Sequence, residues 1–268
     1  MSIRSVGTNL LRQFRDSFRE PEFWAYASWL DIATRHRRTK LGFLWFLAPT
    51  AMFLLVLGNV YSHLMGYPAA VYLPYLGIGY VTWRFMLQIV NDSVSTFQTH
   101  KAFIMDGRTR LTDFVLRSFS KALYQMVFGM IVVAGIIVWS PAMHVANMLT
   151  LLVSIPALMV NMGWLAVCLA LVGARYRESH EIMGTVLIVG FLVTPVLWTV
   201  ERFPPDTTRG MLVRLNPAFH LIDLVRAPVL GQMPEMASFA YAAGMALIGW
   251  PLAALLYRRY ARYVPIWV

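Results

Sequence analysis

The sequence predicts an all-α, polytopic membrane protein with six transmembrane helices, and three observations carry that expectation. Of 268 residues, 58% are hydrophobic and only 13% are charged, against roughly a quarter charged in a soluble domain. Six apolar runs approach the roughly 20 residues that a helix needs to cross a bilayer. Lys and Arg gather on alternate connections between those runs, as they do where cytoplasmic loops retain positive charge.

Two regions follow from this pattern: a cytoplasmic, interfacial segment over 1–40 and a single membrane domain over 41–268. In the first, Ile3, Val6, Leu10, Phe14 and Phe18 recur near helical spacing while Arg4, Arg12, Arg15 and Arg19 decorate the remainder. That is the pattern of an amphipathic helix lying in the membrane interface, its cations toward anionic headgroups. A helix packing on a partner is the other reading of the same stripe. Pro21 opens a second helical stretch with Phe23, Ala27 and Leu30 on one face. The knot Arg35, Arg37, Arg38 and Lys40 then anchors the start of the first span at the headgroups.

The expected spans run over about 42–62, 71–90, 120–140, 148–173, 182–200 and 237–257. Trp139 and Trp198 fall at helix ends, where an interfacial belt places them. Orientation follows from the cations: eight Lys or Arg in 1–40, five in 91–121, two in 174–181 and three in the tail, 18 of 23. The stretches 63–70 and 141–147 carry none, and the four Arg of 201–236 are balanced by four acids. Both termini are therefore expected in the cytoplasm.

Several chemistries are excluded. No phosphate-cradling G-x-x-x-x-G-K-[ST] is present, so the chain has no nucleotide site of its own. Neither G-x-S-x-G nor H-E-x-x-H occurs, and no span holds a close pair of carboxylates. Cys168 is the single cysteine, which leaves no intrachain disulfide and no thiol cluster for a metal. The net charge of +10 reads as membrane orientation and not as nucleic-acid binding, because no basic run falls in a module that docks on a groove. Residues 1–40 lack the charge-free core of a signal peptide.

Four groups of residues remain as candidates. Arg84 stands mid-span, where a cation is costly unless it meets water or an anion. It either lines a translocation path or pairs with Asp92 or a carbonyl. Aromatic residues crowd the first span and the start of the second, among them Trp45, Phe46, Phe53, Tyr61 and Tyr72. Lipid packing explains most such residues, while a stripe of aromatic faces would let sugar rings slide. The connection over about 91–117 mixes Phe97, Phe103 and Ile104 with Arg108, Arg110 and Asp113, a composition suited to docking a soluble partner or to a solvated loop. Between the fifth and sixth spans, Asn216 and Pro217 read as the cap and first turn of a short helix that Arg226 and Pro228 close. His220 and Asp223 share a face there, with no third ligand nearby, so a structural role is expected over a metal.

Four patches together resemble a known family: Arg38 to Trp45 with Pro49 following, Leu111-Thr112-Asp113 to Arg117, Gly173 to Glu178, and Thr194 to Trp198 with Leu215 to Gly231. The chain resembles the permease subunits of type-2 ABC exporters for cell-surface polysaccharides, the O-antigen, capsule and teichoic-acid transporters, over nearly its whole length. The resemblance implies a homodimer of this chain in the bacterial inner membrane, with two separate ATPase subunits that bind the ATP and Mg²⁺. The cargo it implies is a lipid-linked polysaccharide passing between the two copies. By similarity, Arg84 and the first-span aromatics are channel contacts, the 91–117 segment couples to the ATPase, and 202–231 forms short helices at the outer face. The cations from Arg35 to Lys40 would also meet the lipid carrier's pyrophosphate. Three rival readings stand beside this one. A drug or small-lipid exporter typically carries a large external domain, and a membrane-embedded glycan-modifying enzyme would cluster its polar groups at one membrane face. A non-transporting scaffold is the third.

Overall fold

A computed structural model describes residues 9–35, 42, 44–107, 109–140 and 147–268, with the side chain of Arg35 left aside. Every regular element among these residues is helical. Helix α1 (Leu10–Arg19) starts where the Asn9 side chain accepts the Arg12 N–H at 3.2 Å, which satisfies one of the free donors of a first turn. The stripe expected from spacing is divided. Leu10 is buried, Phe14 meets Trp250 edge-on, and Phe18 stays exposed against Trp24. The face turned inward is instead Leu10, Gln13 and Ser17, because two of these form hydrogen bonds with the membrane helices. A turn of wider, π-type helix over Glu22–Tyr26 leads into α2 (Ala27–Arg35).

The first apolar run is α3 (Leu44–Phe53), a π-type turn over Leu54–Gly58, and α4 (Asn59–Met65), stopped by Gly66 at φ 75°. Helix α5 (Ala69–Thr99) has 31 residues and forms the centre of the molecule, packed most extensively against α7 and α8. After α6 (Lys101–Asp106), Gly107 turns at φ 68°, and α7 (Leu111–Val138) begins where Asp113 accepts the Arg110 N–H at 3.0 Å. Helix α8 (Leu151–Arg175) packs on α5 and α12, and the shorter α9 (Ser179–Val193) packs on α5. The segment between α9 and α12 holds α10 (Thr208–Arg214) and α11 (Pro217–Val229). Helix α12 (Met236–Tyr260) follows, and the short α13 (Val264–Trp267) closes the chain.

Among the described residues, four runs are long and apolar enough to cross a membrane: Leu44–Met65, Leu111–Val138, Met148–Arg175 and Met236–Trp267. The expected second and fifth spans differ from this class for physical reasons. Helix α5 outruns its expected 71–90 because its last turns carry Asn91, Asp92, Ser95 and Gln98, which lower the hydropathy without breaking the helix. Helix α9 ends at Val193, short of residue 200, because a residue before proline is pushed out of the helical region. Thr194 accordingly sits at ψ 138° ahead of Pro195. The expected third span starts at residue 111 and not 120, so most of the 91–117 connection is helix.

Candidate functional site

One face of α5 is half-open, while the opposite face, along Tyr72, Leu76, Trp83, Met86, Val94 and Phe97, is buried. Along it, at intervals of three or four residues, stand Tyr80, Arg84, Gln88, Asn91 and Ser95, with Asp92 beside them. Such spacing places them on one stripe of the helix. Polar groups at this density are costly against lipid, so the face belongs to a protein-lined or water-filled space.

Arg84 is at the middle of α5. It opens into a cleft of about 230 Å³ bounded by Trp45, Phe46, Pro49 and Thr50 of α3, Val81 and Phe85 of α5, and Ala122, Gln125, Met126 and Gly129 of α7. The pairing with Asp92 does not form: that carboxylate accepts from Gln88 Nε2 at 3.2 Å. Among the described residues Arg84 makes no ion pair, and its guanidinium lies 5.8 Å from the centre of the Tyr80 ring. Tyr80 in turn stacks on Phe53 at 3.6 Å and an interplanar angle of 6°. Trp45, Phe46, Phe53 and Arg84 therefore come together. Tyr61 is half-buried on the core, and Tyr72 is fully buried towards the other end of α5, where its hydroxyl donates to the Leu197 carbonyl.

The residues at the far end of the stripe divide by burial. Phe97 and Ile104 are core residues, while Phe103 is 51% exposed beside the exposed Met105. Arg110 donates to Glu20 at 2.9 Å and to the Asp16 carbonyl at 3.3 Å, which ties the head of α7 to α1. Asp113 is buried at its cap. Arg108, Arg37, Arg38 and Lys40 lie outside the described residues, as does the side chain of Arg35.

Sequence reasoning missed the ties that hold the N-terminal helices to this region, because their partners lie between 86 and 244 residues away. Asp31 of α2 accepts from Arg117 at 2.7 Å and Lys121 at 2.9 Å. Burial pushes its carboxyl up, and these two hydrogen bonds, with the charges behind them, bring it below the ordinary carboxylate range. Ser17 pairs with Thr112 at 2.7 Å, and Tyr257 donates to Gln13 at 2.6 Å.

In the segment between α9 and α12, Asn216 caps α11 by accepting the Ala218 N–H at 3.0 Å, with Pro217 in the first turn. Pro228 is buried and the helix ends at Val229, next to the closure expected at Arg226 and Pro228. His220 is fully buried, bonded to Ser238 at 3.0 Å and to the Arg214 carbonyl at 2.7 Å. Ser238 donates to Asp223 at 2.7 Å. Burial holds the Asp223 carboxyl above its usual range, partly offset by the hydrogen bonds from Ser238 and the Glu235 N–H. This network joins α10, α11 and α12.

A family profile described as "ABC-2 type transporter" matches residues 10–230, from the first described helix through the end of α11. The chain belongs to the ABC-2 type transporter family. Among its relatives, a polysialic acid transport protein KpsM of Escherichia coli is 21% identical over 235 residues, covering 85% of this chain and 89% of the relative. The O-antigen export system permease protein RfbA of Myxococcus xanthus is 24% identical over 210 residues, covering 74% and 76% respectively. The family match includes the half-open face of α5, the Arg84 cleft and helices α10 and α11 together.

Proposed function

We propose that this chain is the permease subunit of an ATP-driven exporter that moves a lipid-linked polysaccharide across the bacterial inner membrane. The half-open polar face of α5 carries this reading: a central helix with Arg84, Gln88, Asn91 and Ser95 on one half-open side requires a hydrated space at membrane depth. The names of KpsM and RfbA relatives support a glycan as the cargo.

In this reading six spans cross the membrane, with α5 and α9 completing the four more apolar runs, and both termini face the cytoplasm. A second copy of the chain covers the open face, so the path runs between two protomers. ATP and Mg²⁺ are held by two partner ATPase subunits, which meet the chain around α6, where Phe103 and Met105 are exposed. Helices α10 and α11 stand at the outer mouth.

Deleting the gene tests the reading. Loss of surface polymer with lipid-linked polymer accumulating inside the cytoplasmic membrane is the expected result. Normal surface glycan in the deletion strain contradicts it.

A further inference from the structure

We propose that the cleft around Arg84 is a binding site for the phosphate-bearing headgroup of a membrane lipid, entered between α3 and α7. The proposal rests on the export reading for the link to cargo, and deepens it by naming the part of an amphiphile that this chain grips.

Three features of the cleft carry it. First, its charge is positive and uncompensated: among the described residues, Arg84 is the only ionisable side chain of the lining and has no carboxylate partner. A guanidinium at such a site favours a fork of anionic oxygens, which phosphate supplies. Gln125 and Thr50 add neutral polar groups to the same lining. Second, the surroundings suit an acyl chain. Leu44 and Met52 on α3, and Leu123 and Val127 on α7, are exposed apolar side chains beside the lining positions. An anion with an apolar tail satisfies both the cation and this rim, whereas a soluble anion leaves the rim unused. Third, the depth is appropriate. Ala122 directly follows Lys121, the residue by which α7 holds Asp31 of α2, and Gln125 lies one turn further along. The cleft therefore opens within about one helical turn of the level where the amphipathic N-terminal helices meet the bundle.

The test uses the full chain purified in detergent, with three probes: dioctanoyl phosphatidic acid, dioctanoylglycerol with the same tails and no phosphate, and inorganic phosphate. Saturable binding of phosphatidic acid is expected, weakened about tenfold or more by Arg84→Gln, as for loss of one charge-assisted pair. Arg84→Lys is expected to retain part of it. Gln125→Glu places a carboxylate in the same cleft and is expected to abolish binding while the protein remains folded, so the test does not depend on Arg84→Gln being stable. Dioctanoylglycerol binding as tightly as phosphatidic acid overturns the role of the anion. Inorganic phosphate displacing the lipid at equal concentration overturns the lipid and leaves a free-phosphate site. Unchanged phosphatidic acid affinity in both Arg84→Gln and Gln125→Glu overturns the site. These readouts measure binding alone, so a chain that exports some other cargo and one that lacks this site give different results.

Discussion

The guanidinium of Arg226 lies 4.0 Å above the centre of the Tyr75 ring, and this contact, not an ion pair, docks α11 onto α5. Arg226 is 6% exposed, with Nε and Nη2 free of hydrogen-bond partners, so the ring face is its principal compensation. Tyr75 also donates its hydroxyl to the Trp198 carbonyl at 3.2 Å. One side chain thus holds both α11 and the segment that follows α9. Tyr75→Phe should cost about 1 kcal/mol, the worth of a hydrogen bond. Tyr75→Leu should cost about 1–2 kcal/mol more, because it also removes the cation–π contact. Thermal unfolding in detergent separates them, and equal losses would show that the ring contact carries nothing.

The same docking demands a glycine at position 79, where a Cβ would strike the Arg226 guanidinium. A stricter position is Gly173, whose added Cβ would meet the Val94 carbonyl and force α8 off α5. Backbone cannot give way as a side-chain tip can, so Gly173→Ala is expected to abolish recovery of folded protein. Gly244→Ala, with open space at that site, should leave yield and melting temperature unchanged. Similar behaviour of the two variants would refute the packing described between α5 and α8.

Asp31 joins α2 to α7 through Arg117 and Lys121. Its side chain is 39% exposed, so solvent screens the pair and Asp31→Asn should cost only about 1 kcal/mol. The informative measurement is a double-mutant cycle with Arg117→Gln. A coupling of about 0.5 kcal/mol or more is expected for residues in direct contact, and strict additivity would exclude the bridge as a stabilising link.

His100 stands between α5 and α6, its Nδ1 donating to the Thr96 carbonyl at 2.8 Å. Burial holds its imidazole below the ordinary value of 6.5; the Thr96 bond opposes this, and Arg117 and Lys121 act in the same direction as burial. The fold therefore favours neutral His100. That contribution is complete above pH 6.5 and is lost as pH falls from there toward the depressed value of the folded state. Melting temperature should decline on that acid side in the native chain, with a shallower decline in His100→Phe. Parallel curves would assign the acid sensitivity elsewhere.

Hydropathy and capping signals made much of this architecture legible. The runs at α3–α4, α7, α8 and α12 follow from length and composition, and Asn216-Pro217 marks the start of α11. Less was legible where backbone chemistry or distant contacts decide. Helix α5 continues to Thr99 although its apolar signal fades, because Asn91, Asp92 and Ser95 occupy the half-open face while Val94 and Phe97 keep the opposite side in the core. Aromatic residues cannot be sorted by composition alone: Phe53 reaches the open face of α5, while Tyr72 and Phe97 are consumed by the core. Arg84 was recognisable because a lone cation within an apolar run stands out. Its neighbours Gln88, Asn91 and Ser95 show the same stripe once they are read at a spacing of three or four. Asp31 gave no comparable signal, since its partners are brought to it only by the packing of α2 on α7.

The central claim is that the half-open face of α5 lines an aqueous path in an exporter. Single cysteines placed at Gln88, Asn91 and Ser95, with Cys168 replaced by Ser, test it in the assembled complex in membranes. The account predicts that a small water-soluble thiol reagent modifies these three and spares cysteines at Ile248 and Leu255, on the exposed apolar face of α12. Protection of the α5 positions alongside labelling of the α12 positions would contradict it.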